Sequence, residues 1–221
     1  MVAIPLTLDR SSPVGEQRVT FRGLNWQDYQ QILHALPQRR AARLIYDCGI
    51  LEITMPLEDH EFALRLIELF IRVLVLEMGL KLKTMGSTTM SRQLLNRGAE
   101  PDCAYYIQNQ PLVAGRTVNF DTDPPPDLVV EVDITHSDID KDRLYSALGV
   151  PEFWRYNGQE WRIYQLCDGQ YEECDRSPTF SWVQKDDLYT FLEQAYQDEI
   201  EAEMTFRTYV KTRLQSIDHG S

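Results

Sequence analysis

Hydrophobic positions along the chain switch between two periods. Tyr29, Ile32, Leu33 and Leu36 recur at three- and four-residue spacing, which predicts a short helix from Trp26 to Leu36 with Asn25 as N-cap and Pro37 as its stop. Residues 43–46 and 50–55 read as the two strands of a hairpin that turns at Asp47-Cys48-Gly49. Glu58-Asp59-His60-Glu61 opens a long helix running to about Met78. Acids in its first turn suit the helix dipole. Leu66, Ile67, Phe70, Val73 and Leu74 spread over most of its surface, so it should be largely buried. Residues 80–85 and 90–95 predict short strands around Gly86-Ser87-Thr88-Thr89, and residues 102–107 a further strand with Asp102 at its start. Residues 108–123 read as a turn-rich connection.

The run Leu128-Val129-Val130, continued by Val132 and Ile134, is β-branched and preceded by three prolines, which predicts a buried strand. Thr135-His136-Ser137-Asp138 could cap a helix reaching Leu148, which Gly149 and Pro151 would end. Residues 153–156 and 161–166 predict a hairpin around Asn157-Gly158, with a further short strand near Tyr171. Helical spacing returns at residues 188–196 and 204–214. The order is that of a mixed α/β (α+β) domain. The expected division is an irregular arm over residues 1–18, one domain over 19–215 and a tail over 216–221.

Composition narrows the function classes. Apolar residues make up 43% of the 221-residue chain, enough for a sizeable core. The net charge of -12 argues against a surface that grips nucleic acid by charge alone. Cys48, Cys103, Cys167 and Cys174 lack the close spacing of a zinc or redox motif and are expected to be free thiols. No signal-peptide core or long apolar span is evident, so a cytoplasmic location is expected.

Candidate chemistry sits in the buried strand. Glu131 and Asp133 are two residues apart, so they leave the strand on one face. Two carboxylates on an apolar strand are costly to bury unless a cation lies between them. The alternative is an exposed strand end that the acids merely solubilise; spacing leaves both open. If the strands starting near Asp102 and Leu128 are neighbours, Asp102 and Glu131 could converge on one ion. Their oxygen ligands suit Mg²⁺ or Mn²⁺. Lys141, about two turns into a helix starting near residue 136, could reach back to these acids. Metal plus lysine is a workable set for phosphodiester hydrolysis. Asp127 reads as a structural acid at a strand entry, and His136 as a loop or cap residue. Trp154, Tyr156, Trp161 and Tyr164 read as sheet packing.

Three runs together carry a resemblance: Glu100-Pro101-Asp102 with Tyr105-Tyr106-Ile107; residues 124–135 around Pro126-Asp127 and Val130-Glu131-Val132-Asp133; and Gly149-Val150-Pro151-Glu152-Phe153-Trp154. With Gly49-Ile50-Leu51-Glu52, Met55-Pro56, His60-Glu61 and Gly86-Ser87-Thr88-Thr89, they closely resemble the Uma2 family over residues 20–210. These are restriction-endonuclease-like proteins abundant in cyanobacteria. The resemblance implies a PD-(D/E)xK nuclease core, a mixed sheet flanked by helices. Asp102 matches its PD aspartate and Glu131 the acid of its (D/E)xK element. The lysine expected two residues on is Asp133 here, and Lys141 is the candidate replacement. Glu61 matches a helix carboxylate that some relatives add to the metal shell. The implied activity is Mg²⁺-dependent endonucleolytic hydrolysis of DNA, with a homodimer as the assembly. The competing reading is an inactive nuclease fold that binds protein or nucleic acid.

Overall fold

The computed structural model of the chain describes residues 16–37 and 40–218. Most of the expected N-terminal arm lies outside them, as do residues 219–221 of the expected tail. Residues 16–18 are not irregular: they begin strand β1 (Glu16–Arg22). Residues 216–218 likewise still belong to the last helix.

Two sheets form the frame. The first is antiparallel throughout and contains β1, β2 (Arg43–Asp47), β3 (Ile50–Pro56), β5 (Met90–Arg92) and β6 (Arg97–Ala99), in the order β1-β3-β2-β6-β5. The expected β2–β3 hairpin forms, and Cys48 and Gly49 both take positive φ in its turn. The second sheet has six strands, β4 (Lys83–Thr84), β7 (Cys103–Tyr106), β8 (Leu128–Val132), β9 (Glu152–Tyr156), β10 (Trp161–Cys167) and β11 (Gln170–Cys174). Their order is β11-β10-β9-β8-β7-β4, and only the β8–β9 pair is parallel. The short strands expected at 80–85 and 90–95 shrink to β4 and β5 and go to different sheets.

Helix α1 (Trp26–Ala35), with Asn25 in a capping box, covers the outer face of the first sheet. Tyr29 stacks on Tyr46 at 4.9 Å there. Gly98 makes this possible, because a Cβ at that position would lie 2.5 Å from the Tyr29 hydroxyl. The long α2 (Glu58–Glu77), α5 (Lys185–Ala195) and α6 (Glu199–Asp218) build the main core on one face of the second sheet. Phe70, Phe191 and Phe206 meet there, with Trp154 and Trp161 below them. These tryptophans are core residues, as expected. Ala202, Phe206 and Val210 of the C-terminal segment are buried within the fold as well. A four-residue helix, α3 (Gln110–Val113), interrupts the connection after β7.

The other face of the second sheet meets the first sheet and helix α4 (Lys141–Leu148). The expected start near residue 136 is corrected here. Asp140 is the N-cap, its side chain accepting from Arg143 N at 3.0 Å, so Lys141 is the first helical residue. Ser137 and Asp138 instead turn toward Glu52 of β3, which accepts from Ser137 Oγ at 2.9 Å and Asp138 N at 3.0 Å. All four cysteines are free.

Candidate active site

Strand alternation sorts β8 into two faces. Leu128, Val130 and Val132 point into the main core, which leaves Val129 and Glu131 on the opposite face, toward α4 and the first sheet. In the antiparallel register of β7 and β8, Cys103 faces Val130. Continuing it by one residue sets Asp102 opposite Glu131, and the expected neighbourhood of the two acids exists. Both are buried, with 6% of Asp102 and 2% of Glu131 exposed. Solvation of an exposed strand end therefore does not account for them.

Lys141 sits at the centre. Its Nζ donates to Glu131 Oε2 at 2.8 Å and to Asp133 Oδ1 at 2.6 Å, and the residue is only 3% exposed. Glu131 Oε1 accepts from the Tyr145 hydroxyl, one helical turn further along α4. Asp133 also accepts from Arg155 Nε at 3.0 Å and Arg18 Nη2 at 3.2 Å, so it is a hub for three cations. Asp102 is held differently. Its Oδ2 accepts from Val132 N at 2.7 Å and pairs with His60 Nε2 at 3.1 Å. Its Oδ1 carries no hydrogen bond among the described residues and faces Arg43 Nη1 at 3.0 Å.

The first sheet supplies the opposing wall. In its register Arg18 faces Thr54 and Thr54 faces Arg43, a cross-strand row turned toward the acids. Arg18 is fixed by Glu16 at 2.6 Å and by Glu52. Glu16 in turn accepts from Thr135 N and Oγ1, at 2.9 and 2.7 Å. Glu61 does not join the acids. It is 37% exposed at its side chain and bonded to Arg43 at 3.1 Å and Arg65 at 3.4 Å. Asp127 is structural as expected: it accepts from Ile107 N, Asn109 N and Asn109 Nδ2. His136 lies exposed in the loop before α4.

The charges respond to this packing. Burial raises Glu131, Lys141 opposes the rise, and Asp102 and Asp133 add to it, leaving its carboxyl at about 7. Burial would also raise Asp102, but His60, Arg43 and Lys141 override it and hold that acid below the usual carboxylate range. Asp133 is depressed likewise, Lys141, Arg155 and Arg18 outweighing its burial. Lys141 is pulled down by burial but pushed further up by Asp133, Glu131 and Asp102, so it stays an ammonium. An ammonium of this kind can donate hydrogen bonds and supply charge but has no free electron pair with which to take a proton.

Donor chemistry here fits a hard divalent cation. Among the described residues no three His, Cys, Asp or Glu side chains converge on one metal position. Magnesium, however, ordinarily takes one or two protein carboxylates and fills its shell with water and phosphate oxygens. Asp102 and Glu131 are that number. Oδ1 of Asp102 is engaged only by the Arg43 ion pair at 3.0 Å, and Glu131 carries a repulsion from Asp102 and Asp133 that a cation would relieve.

Sequence reasoning placed Asp102, Glu131, Asp133 and Lys141 together. Arg18, Arg43, Arg155 and Tyr145 were missed. Arg18 had a signal: polar Arg18 and Thr20 alternate with Val19 and Phe21, a period-two strand pattern. Tyr145 lies four residues after Lys141, on the same helix face.

A family model, Uma2, described as "Putative restriction endonuclease", matches residues 26–193. No curated protein matches the chain. An antiparallel sheet and a mixed sheet flanked by helices are consistent with a restriction-endonuclease-like fold. No helix among the described residues is long and apolar enough to cross a membrane.

Proposed function

The chain belongs to the Uma2 family of restriction-endonuclease-like proteins, and from that premise we propose that it hydrolyses DNA phosphodiester bonds with a divalent cation. The observation that carries this reading is the buried Lys141 ammonium clasped between Glu131 and Asp133, with Asp102 on the neighbouring strand. Asp102 and Glu131 would hold Mg²⁺ or Mn²⁺, which when bound polarises the phosphoryl oxygen and lowers the pKa of a water.

The protein's own groups do the rest. Lys141 offers N–H donors to the attacking water or to the phosphoryl oxygens and offsets charge that develops there. Asp133, standing where the motif lysine is expected, anchors that ammonium from the helix start. Val132 N–H and His60 keep the Asp102 carboxylate ionised and oriented. Arg18 and Arg155 balance Asp133, so that Lys141 is not wholly neutralised by it.

One observation favours a second reading. Lys141 spends two of its three N–H donors on Glu131 and Asp133, as a purely structural ion network would have it. In that case the fold is a catalytically silent scaffold that binds protein or nucleic acid. A cleavage assay on plasmid and single-stranded DNA with Mg²⁺ or Mn²⁺ separates the two. Under the nuclease reading, wild type cuts, and Asp102→Asn, Glu131→Gln and Lys141→Met each lose at least about a hundredfold in rate. Folded wild type that leaves both substrates intact supports the scaffold. We also propose a homodimer through exposed Ile200 and Met204 of α6, which sedimentation equilibrium tests.

A further inference from the structure

The cavity lined by the acids holds only about 10 Å³, room for about one water and not for a nucleotide. Substrate must therefore come from adjoining space. Asp133 is a wall of this cavity and also of an open cleft of about 300 Å³, which Thr135, His136, Arg155, Asn157 and Arg162 help to line. Arg155 links the two. Its Nε is committed to Asp133, while its Nη atoms make no hydrogen bond among the described residues, the Asp142 carboxylate lying 4.0 Å from Nη1. Arg162 is half exposed and held by Glu160 at 2.8 Å, a surface ion pair that contributes little and is readily exchanged for another anion.

A second cleft, of about 270 Å³, shares Ile134 and Asn157 with the first. Its chemistry is different: Ala63, Leu66, Tyr156, Leu192 and Tyr196 give it an apolar, aromatic side, facing a polar side of Asp59, Asn157 and Gln159. Tyr196 is 64% exposed, and its ring is braced edge-on by Phe62 at 5.1 Å. A cleft with guanidinium donors next to the acids thus borders one with an aromatic, apolar side.

We propose that the paired clefts hold one unpaired nucleotide, its phosphate at Arg155 and Arg162 and its base against Tyr156 and Tyr196. Nucleic acid is then engaged as a single strand, or with a nucleotide turned out of the duplex. This rests on the nuclease reading above. A stacked duplex keeps its bases inside and has nothing to place against the aromatic side, whereas an unpaired base offers a π face to it. The net charge of -12 points the same way. Binding that relies on one or two phosphates plus stacking tolerates an acidic protein; a long duplex track of phosphate contacts does not.

Fluorescence anisotropy with the full chain in EDTA tests this, using a labelled short oligothymidylate and a duplex of matched length. The strand should bind more tightly than the duplex. Tyr196→Ala should weaken strand binding about 5- to 150-fold, and Tyr196→Phe should retain it, since the ring rather than the hydroxyl is used. Arg162→Ala should reduce the slope of log affinity against log salt by about 0.7. Equal binding of strand and duplex, or strand affinity unchanged in Tyr196→Ala, overturns the proposal; both positions are on the surface, and thermal melts confirm folding. No turnover is needed in EDTA, so the two ideas fail separately. A protein that binds the strand through Tyr196 yet never cuts loses only the nuclease reading. One that cuts DNA but ignores Tyr196 loses only this inference.

Discussion

Beside His60, whose imidazole burial would lower but Asp102 raises, Glu131 is a second group of the site that responds to pH near neutrality. Its carboxyl titrates at about 7 when folded, against 4.5 for an ordinary glutamate. The folded state then holds that proton more tightly than the unfolded state does. The stabilisation is complete below about pH 4.5 and is lost as pH rises through 7. Asp102 and Asp133 act oppositely: depressed when folded, they stabilise above their ordinary value of 3.8 and lose that contribution as the pH falls below it. In metal-free protein the melting temperature should therefore fall between pH 5 and pH 7.5. Glu131→Gln, neutral at every pH, should flatten that decline in a scanning-calorimetry series. An unchanged slope would remove Glu131 as its source. Arg18 belongs to this scale too. Arg18→Ala leaves buried Glu16 and Glu52 without their guanidinium, and should cost about 3–5 kcal/mol in a denaturant titration. Loss below about 1 kcal/mol would mean that β1 does not clamp the site.

At the scale of elements, the start of α4 decides where Lys141 stands. A cation at the first helical position opposes the helix dipole, and burial adds to the cost. Glu131, Asp133 and the Asp140 cap hold it there together. Asp140→Ala should destabilise the fold by about 1 kcal/mol. It should also lower the cleavage rate with little change in substrate affinity, because the ammonium loses its fixed position rather than its charge. A rate equal to wild type would detach the cap from the site. Chain pattern read the helix too early, at about residue 136. Thr135, Ser137 and Asp138 are all competent N-caps by type, and sequence does not say which one is drawn away. Thr135 and Ser137 are engaged by Glu16 and Glu52, more than eighty residues upstream, which leaves Asp140 to begin the helix.

Across the whole molecule, the site lies where two sheets close on one another, so the proposed metal binding would be coupled to global stability. A ligand that binds only the folded state stabilises it by mass action. Mg²⁺ or Mn²⁺ at millimolar concentration should raise the melting temperature more at pH 8 than at pH 6, since an ionised Glu131 binds a cation and a protonated one does not. Asp102→Asn should abolish the rise, and an equal rise in that variant would place the ion elsewhere. The core that backs the second sheet can be tested separately. Phe206→Ala removes a ring stacked on Phe70 at 4.4 Å and should cost about 3–5 kcal/mol in urea unfolding. Metal-induced stabilisation should survive it.

Much of this protein was legible in one dimension because the relevant physics is local. Period and caps set α1, α2, the β2–β3 and β9–β10 hairpins and the apolar β8. Spacing of two put Glu131 and Asp133 on one face, and the resemblance picked out Asp102 and Lys141. Sequence could not say what neutralises them. Arg18 and Arg43 reach the acids only because β1, β3 and β2 pair in one register, and Glu61 is bonded to Arg43 and Arg65. Pairing of that kind depends on long-range register and burial, which no local window contains. Whether an acid is a ligand, a hub or a solvated charge is an electrostatic property of everything that packs around it, and only the tertiary structure brings those groups together.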